Sequence, residues 1–110
     1  NRIHATINRR GNIYLNERAL KEIGGPDMVE LLYDRHRQTI GVRASTPDRR
    51  NAFKLKNKDK RVGGRVVYAA NFCRHFRIRP KDTLAFVRAR IEPDGVLVLG
   101  MNETMPAGKK

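Results

Sequence analysis

Apolar positions change period twice along this chain, and they do so in the same order in each half. Ile3, Ala5 and Ile7 alternate with polar neighbours, the two-residue period of a strand with one buried face. Asn8-Arg9-Arg10-Gly11 supplies turn residues before Ile13 and Leu15 resume the alternation, so a hairpin is predicted here. The period then lengthens. Ala19, Leu20 and Ile23 share one face of a helix of about two turns, with Asn16 placed to cap its start and Gly24 to end it in the left-handed conformation. Pro26-Asp27 blocks continuation, and the largely apolar stretch Met28 to Tyr33 has the pattern of a buried strand rather than a half-exposed one. Asp34-Arg35-His36-Arg37 turns the chain into a partner strand from Thr39 to Val42.

The second half repeats this plan. Phe53 and Leu55 stand for Ala5 and Ile7, a basic turn follows, and Val66 to Tyr68 forms the next strand. Phe72, Cys73 and Phe76 take the helix positions of Ala19, Leu20 and Ile23 at a constant offset of 53 (72−19, 73−20, 76−23). The offset slips afterwards, because Thr83 to Ile91, Glu92-Pro93-Asp94-Gly95 and Val96 to Leu99 make a longer hairpin. Each copy of such a repeat presents an apolar face that the other can cover. The expected architecture is therefore one domain over 1–110, mainly β with two short helices (α+β). It is read as a pseudo-two-fold barrel of two β-β-α-β-β repeats, 3–43 and 52–99. Residues 44–51 are too short a linker to separate independent domains, and residues 102–110 read as a frayed tail.

Length and charge sharpen the picture. A chain of 110 residues supports one core, burying roughly 60–70% of its unfolded surface. Its 24 basic and 11 acidic residues leave a formal charge of +13. That excess favours polyanionic partners, nucleic acid first; a ribosome-associated role, an anionic membrane surface or simple supercharging are the plainer alternatives. Cys73 is the single cysteine, which excludes an intrachain disulfide and fits a reducing cytoplasm. No apolar run is long enough to span a membrane, so no membrane partner is expected. No secretory leader opens the chain, although a start at Asn1 rather than methionine leaves a trimmed leader open.

The stretch GRVVYAANFCRHFRIRPKDTLAFVRARIEPDGVLVL resembles the SpoVT/AbrB family of swapped-hairpin DNA-binding domains. Gly64-Arg65-Val66-Val67, Phe76-Arg77-Ile78, Arg79-Pro80-Lys81-Asp82 and the Thr83 to Leu99 hairpin take the places of that family's strand, helix end, turn and apolar hairpin. Gly11-Asn12-Ile13-Tyr14-Leu15, Ile23-Gly24 and Pro26-Asp27 match more loosely in the first half. The chain departs from the family where Asn16 and Ala69 replace the usual helix-start proline and Lys81 a turn glycine. A second, weaker resemblance is to the double-wing DNA-binding domain of the phage transcription factor MotA. The first resemblance implies an AbrB-like barrel usually made by two chains and a DNA surface built from arginines near the first hairpin of each. On this reading one polypeptide could build that barrel alone, as a monomeric pseudo-dimer, or pair further as a homodimer.

Candidate contact residues follow from charge and period. Lys54, Lys56, Lys58 and Lys60 alternate, which puts them on the solvent side of a strand whose Phe53 and Leu55 face inward. A charged edge strand that resists aggregation is the plainer explanation for these lysines. Arg9-Arg10 makes the equivalent hairpin of the first copy basic too, so pseudo-symmetry is expected to bring two cationic loops together on one side of the molecule. Arginine can bond phosphate or guanine edges bidentately, whereas lysine acts as a point charge. Arg9, Arg10, Arg61 and Arg65 are thus the candidates for positioning or base contacts, and Lys58 and Lys60 for phosphates. Arg49, Arg50, Lys54, Lys56, Arg74, Arg77 and Arg79 are a possible extension, the last three competing with a role as a solvated helix face.

No catalytic motif, cofactor-binding loop or metal-ligand cluster is present, and Cys73 reads as a buried core thiol rather than a partner of His75. The expected function is a non-enzymatic duplex DNA-binding protein, a cytoplasmic, nucleoid-associated transcription regulator. An RNA or ribosome-associated module is the runner-up, though most of the few aromatics are expected to be buried rather than free for stacking. An antitoxin-like or phage protein-interaction module is the third reading.

Overall fold

Among the described residues, ten strands and two helices follow one another as β1 (Ala5–Ile7), β2 (Asn12–Leu15), α1 (Glu17–Glu22), β3 (Met28–Asp34), β4 (Thr39–Ser45), β5 (Ala52–Asn57), β6 (Arg65–Tyr68), α2 (Ala70–Phe76), β7 (Leu84–Phe86), β8 (Arg90–Ile91), β9 (Leu97–Gly100) and β10 (Thr104–Pro106). This computed structural model describes residues 2–57 and 63–107. The fold is mainly β with two short helices, as its patterning predicts, and the sheet curls into a half-barrel.

All neighbouring strands are antiparallel, in the order β10-β7-β1-β2-β6-β5-β3-β4-β9-β8. The two halves exchange their second hairpins. β2 of the first half pairs with β6 of the second at the centre; β3 then joins β5 of the second half, and β7 joins β1 of the first. One inward-facing rung crosses five strands through Leu84, Ile7, Ile13, Val67 and Leu55. Within it Ile7, Ile13 and Val67 are fully buried. Ile7 opposite Ile13 matches Leu55 opposite Val67, so Phe53 and Leu55 do replace Ala5 and Ile7. Ile13 itself faces Val67, which makes the strands equivalent at an offset of 54 (67−13), while the helix starts keep 53 (70−17). The one-residue difference matters because a one-residue slip turns a strand over.

Helix signals act as read. Asn16 Oδ1 accepts from the Ala19 N–H at 2.9 Å, and Gly24 leaves α1 at φ +99°. Ala19, Leu20, Phe72 and Cys73 are buried in the shared core. α2 packs on the inner side of the sheet, Phe72 lying edge-on to Phe53 and Tyr33.

Three expectations are corrected. Met28 to Tyr33 is not buried on both faces: Val29 and Leu31 are buried while Met28, Glu30 and Leu32 are half-buried, because an antiparallel strand here covers the core on one side only. The stretch Thr83 to Leu99 is not one hairpin. β7 pairs with β10, and β8–β9 is inserted between them as a separate hairpin whose β9 continues the sheet from β4. The end of the chain is correspondingly not all tail, since Thr104–Pro106 is a strand, anchored further by the Val87 N–H to Glu103 carbonyl bond at 2.8 Å. Sequence proximity favoured pairing 83–91 with 96–99; the half-barrel's need for a second-half counterpart of β4 decided otherwise.

Candidate nucleic-acid interface

Alternation in β1, β2, β6 and β5 sends one set of side chains into the core and the other outward. The outward set contains Thr6, Asn12, Tyr14, Tyr68, Lys54 and Lys56, linked by the rows Thr6–Tyr14–Val66–Lys56 and Asn12–Tyr68, in which Val66 shares the parity but is buried. No carboxylate stands among these residues. Lys54 and Lys56 are exposed, as expected, with Leu55 buried and Phe53 half-buried behind them. Lys54 and Lys56 form no ion pair with a described acid.

Arg9 and Arg10 are exposed at the β1–β2 turn, which Asn8 organises by accepting from the Arg10 and Asn12 N–H groups at 3.0 Å each. Gly11, at φ +83°, closes the turn directly over α2; a Cβ there would lie 3.2 Å from Cys73 Sγ. This turn thus carries its arginines on a backbone braced by the core. Arg9 and Arg10 also have no described acid as partner.

The strand ends that follow the two basic stretches are not neighbours, contrary to the expected arrangement. Asn12, just after the first turn, pairs with Tyr68 at the end of β6, whereas Arg65, just after the second, pairs with Leu15 at the end of β2. Equivalent strands paired antiparallel necessarily set their hairpins head to tail. The flanks of the turns are therefore separated by at least the length of β2, about 10 Å at 3.3 Å per residue. Lys58, Lys60 and Arg61 lie outside the described residues.

Arg65 is also reassigned. It shares the inward parity of Val67, its side chain is 34% exposed, and it pairs with Asp27 at 3.6 Å. Its charge is turned away from Lys54 and Lys56. Arg49 and Arg50 are exposed in the turn before β5. There the Thr46 hydroxyl, the Asp48 backbone N–H and nearby Arg49 hold the Asp48 carboxyl below its ordinary range, so this turn carries an anion beside its cations. Arg74, Arg77 and Arg79 are exposed around the end of α2, on the inner side of the sheet; Arg74 bonds Asn71 Oδ1 at 2.7 Å. They are set apart from the lysine face.

Sequence reasoning missed Tyr68, which is 56% exposed in the outward set. Its position three residues after Arg65 in an apolar strand leaves parity as the only clue in the sequence, and the strand's inward face is fixed only by the pairing of Ile13 with Val67. Tyr14 lies flatter: the His4 ring meets it edge-on at 6.3 Å, and a Cβ at Gly64 would overlap its phenol, 2.7 Å from Cζ.

Among the described residues, no group of three or more His, Cys, Asp or Glu side chains could hold a metal ion, and no helix is long and apolar enough to cross a membrane. Burial raises the Cys73 thiol above its ordinary value. In comparisons with known proteins, no family model, curated protein or solved structure matches the chain.

Proposed function

We propose that the protein is a non-enzymatic, duplex DNA-binding regulator of the swapped-hairpin kind, with the outward face of β1, β2, β6 and β5 set against the DNA backbone. The observation that carries this reading is the acid-free outward set, bearing Lys54 and Lys56 and flanked by Arg9 and Arg10. The exchange of hairpins between halves supports it as well. Four strands at about 4.8 Å spacing make a face roughly 14 Å wide. That is broader than a major groove of about 12 Å, so the face spans phosphates while the narrower hairpin turn enters the groove.

Four phosphate contacts give a logarithmic salt slope near −3.6, hence roughly a 10²-fold loss of affinity between 50 and 200 mM salt. Fluorescence anisotropy with a mixed-sequence 20-bp duplex tests this. The pairs Arg9→Ala/Arg10→Ala and Lys54→Ala/Lys56→Ala should each flatten the slope by about 2. Folded variants that bind with the parent's affinity and slope would defeat the assignment.

Tyr68 favours a second reading, single-stranded nucleic acid stacked on the same face. On that reading Tyr68→Ala costs about 1–3 kcal/mol in binding a single strand and leaves duplex affinity unchanged. Duplex preferred over single-stranded RNA or DNA, with no effect of Tyr68→Ala, decides for the first.

A further inference from the structure

Among the described residues, two that are not glycine have positive φ: Gln38 at 52° and Arg77 at 59°. Both line the same cavity, of about 230 Å³, together with Tyr33, Arg35, His75 and Phe76. Left-handed backbone disfavours side chains that carry a Cβ, and neither Gln nor Arg has the local hydrogen-bonding compensation of Asn or Asp. The chain itself shows the ordinary solution. After α1 the corresponding position is Gly24 at φ +99°, and the β8–β9 turn uses Gly95 at φ +87°. Helix end and hairpin turn can thus be built with glycine, yet at this one place both keep a polar side chain over a cavity.

The cavity's chemistry is uniform. Phe76 forms its apolar wall, with Tyr33 tilted against it at 5.0 Å, the His75 ring edge-on at 4.6 Å, and the Arg35 guanidinium 5.4 Å from its centroid. Arg35, Arg77, His75 and Gln38 contribute nitrogen donors, and no carboxylate lines the space. Asp34, next in sequence, pairs with Arg37 at 4.0 Å. A volume near 230 Å³ equals roughly seven or eight waters at about 30 Å³ each, enough for one ring with one anionic group.

We propose that this cavity between α2 and the β3–β4 turn is a binding site for a small aromatic anion, its ring against Phe76 and Tyr33 and its phosphate or carboxylate between Arg35 and Arg77. Strained residues held where glycine would serve are a mark of functional positions, because the side chain has to be worth its conformational cost.

The test uses ¹⁵N-labelled whole protein titrated with phenyl phosphate and, separately, with inorganic phosphate. Phenyl phosphate is expected to shift the amides of residues 33–38 and 75–77 saturably, with inorganic phosphate at least tenfold weaker. Arg77→Gly should weaken phenyl phosphate at least tenfold while melting at or above the parent's temperature, the combination that a purely structural arginine would not give. Arg35→Ala should weaken it similarly, and Lys54→Ala/Lys56→Ala should leave it unchanged, which separates this site from the proposed DNA face. No saturable shift, an equal response to inorganic phosphate, a lowered melting temperature for Arg77→Gly, or loss of binding in the lysine variant would each overturn the assignment.

Discussion

At the scale of single residues, local chemistry was legible wherever a side chain acts on its own neighbourhood. Asn16 could be read as a cap because an amide oxygen before an apolar helix has an orphan N–H within reach; in the fold the same oxygen also accepts from His4 N–H at 3.1 Å, and its Nδ2 donates to the Arg2 carbonyl at 2.8 Å. That second duty ties the chain start to α1 and is invisible in sequence. Asn16→Ala is accordingly expected to cost about 1–2 kcal/mol, the upper part of the range for a lost cap, as measured by urea unfolding. A loss of only a few tenths would mean the extra bonds contribute nothing. Cys73 behaves as its apolar setting suggests. Its thiol titrates above the ordinary 9.0 because burial disfavours the thiolate. The unfolded chain therefore releases this proton first, so the contribution is fully present below pH 9 and is lost as pH rises through the higher folded value. Relative to Cys73→Ala, the parent should lose stability more steeply above pH 9, and its thiol should resist modification until the protein unfolds. Parallel pH profiles for the two proteins would contradict this.

At the scale of elements, periodicity located the strands and helices, but pairing partners escaped it where the nearest segment in sequence is not the nearest in space. β8 and β9 were recognisable from Glu92-Pro93-Asp94-Gly95, yet β7 was assigned to the same hairpin although it pairs with β10. A three-residue strand at the chain's end carries almost no pattern of its own; Met105 is exposed, and only the bonds to β7 make it a strand. Ending the chain at Gly100 removes those bonds and Glu103, which pairs with Arg88 at 3.9 Å and Arg90 at 3.7 Å. These exposed pairs are individually weak. The larger loss is the cover over β7, whose Phe86 is buried, so the truncated chain is expected to melt several degrees lower with weakened amide protection in residues 84–86. Unchanged protection there would show that β10 is dispensable.

At the scale of the whole molecule, the exchanged hairpins make each half depend on the other. Separated from its complement, the first half retains two hairpins, and isolated hairpins are marginal in water. Fragments 1–50 and 51–110, at concentrations where each stays monomeric, should show no cooperative melt by circular dichroism, and a one-to-one mixture should recover the parent spectrum. A cooperative melt from either fragment alone would mean the halves are independent domains. The same exchange sets the distribution of charge: it leaves an acid-free face across the central strands while placing Asn12 and Arg65, which follow the two basic stretches, at opposite ends of the β2–β6 pair. That placement could not be read from composition, because a count of +13 carries no direction.

Sequence alone therefore determined what depends on short-range physics: the periods of strands and helices, the cap at Asn16, the left-handed stop at Gly24, the inward Leu55 behind outward lysines, and the basic excess. Tertiary structure decided the exchange of hairpins, the strand at Thr104–Pro106, the pairing of Arg65 with Asp27, the exposure of Tyr68 and the convergence of Gln38 and Arg77 on one cavity. The reason is that a side chain's period is fixed by its own backbone, whereas its neighbours across a sheet are chosen by which segments must cover one another to close a single core.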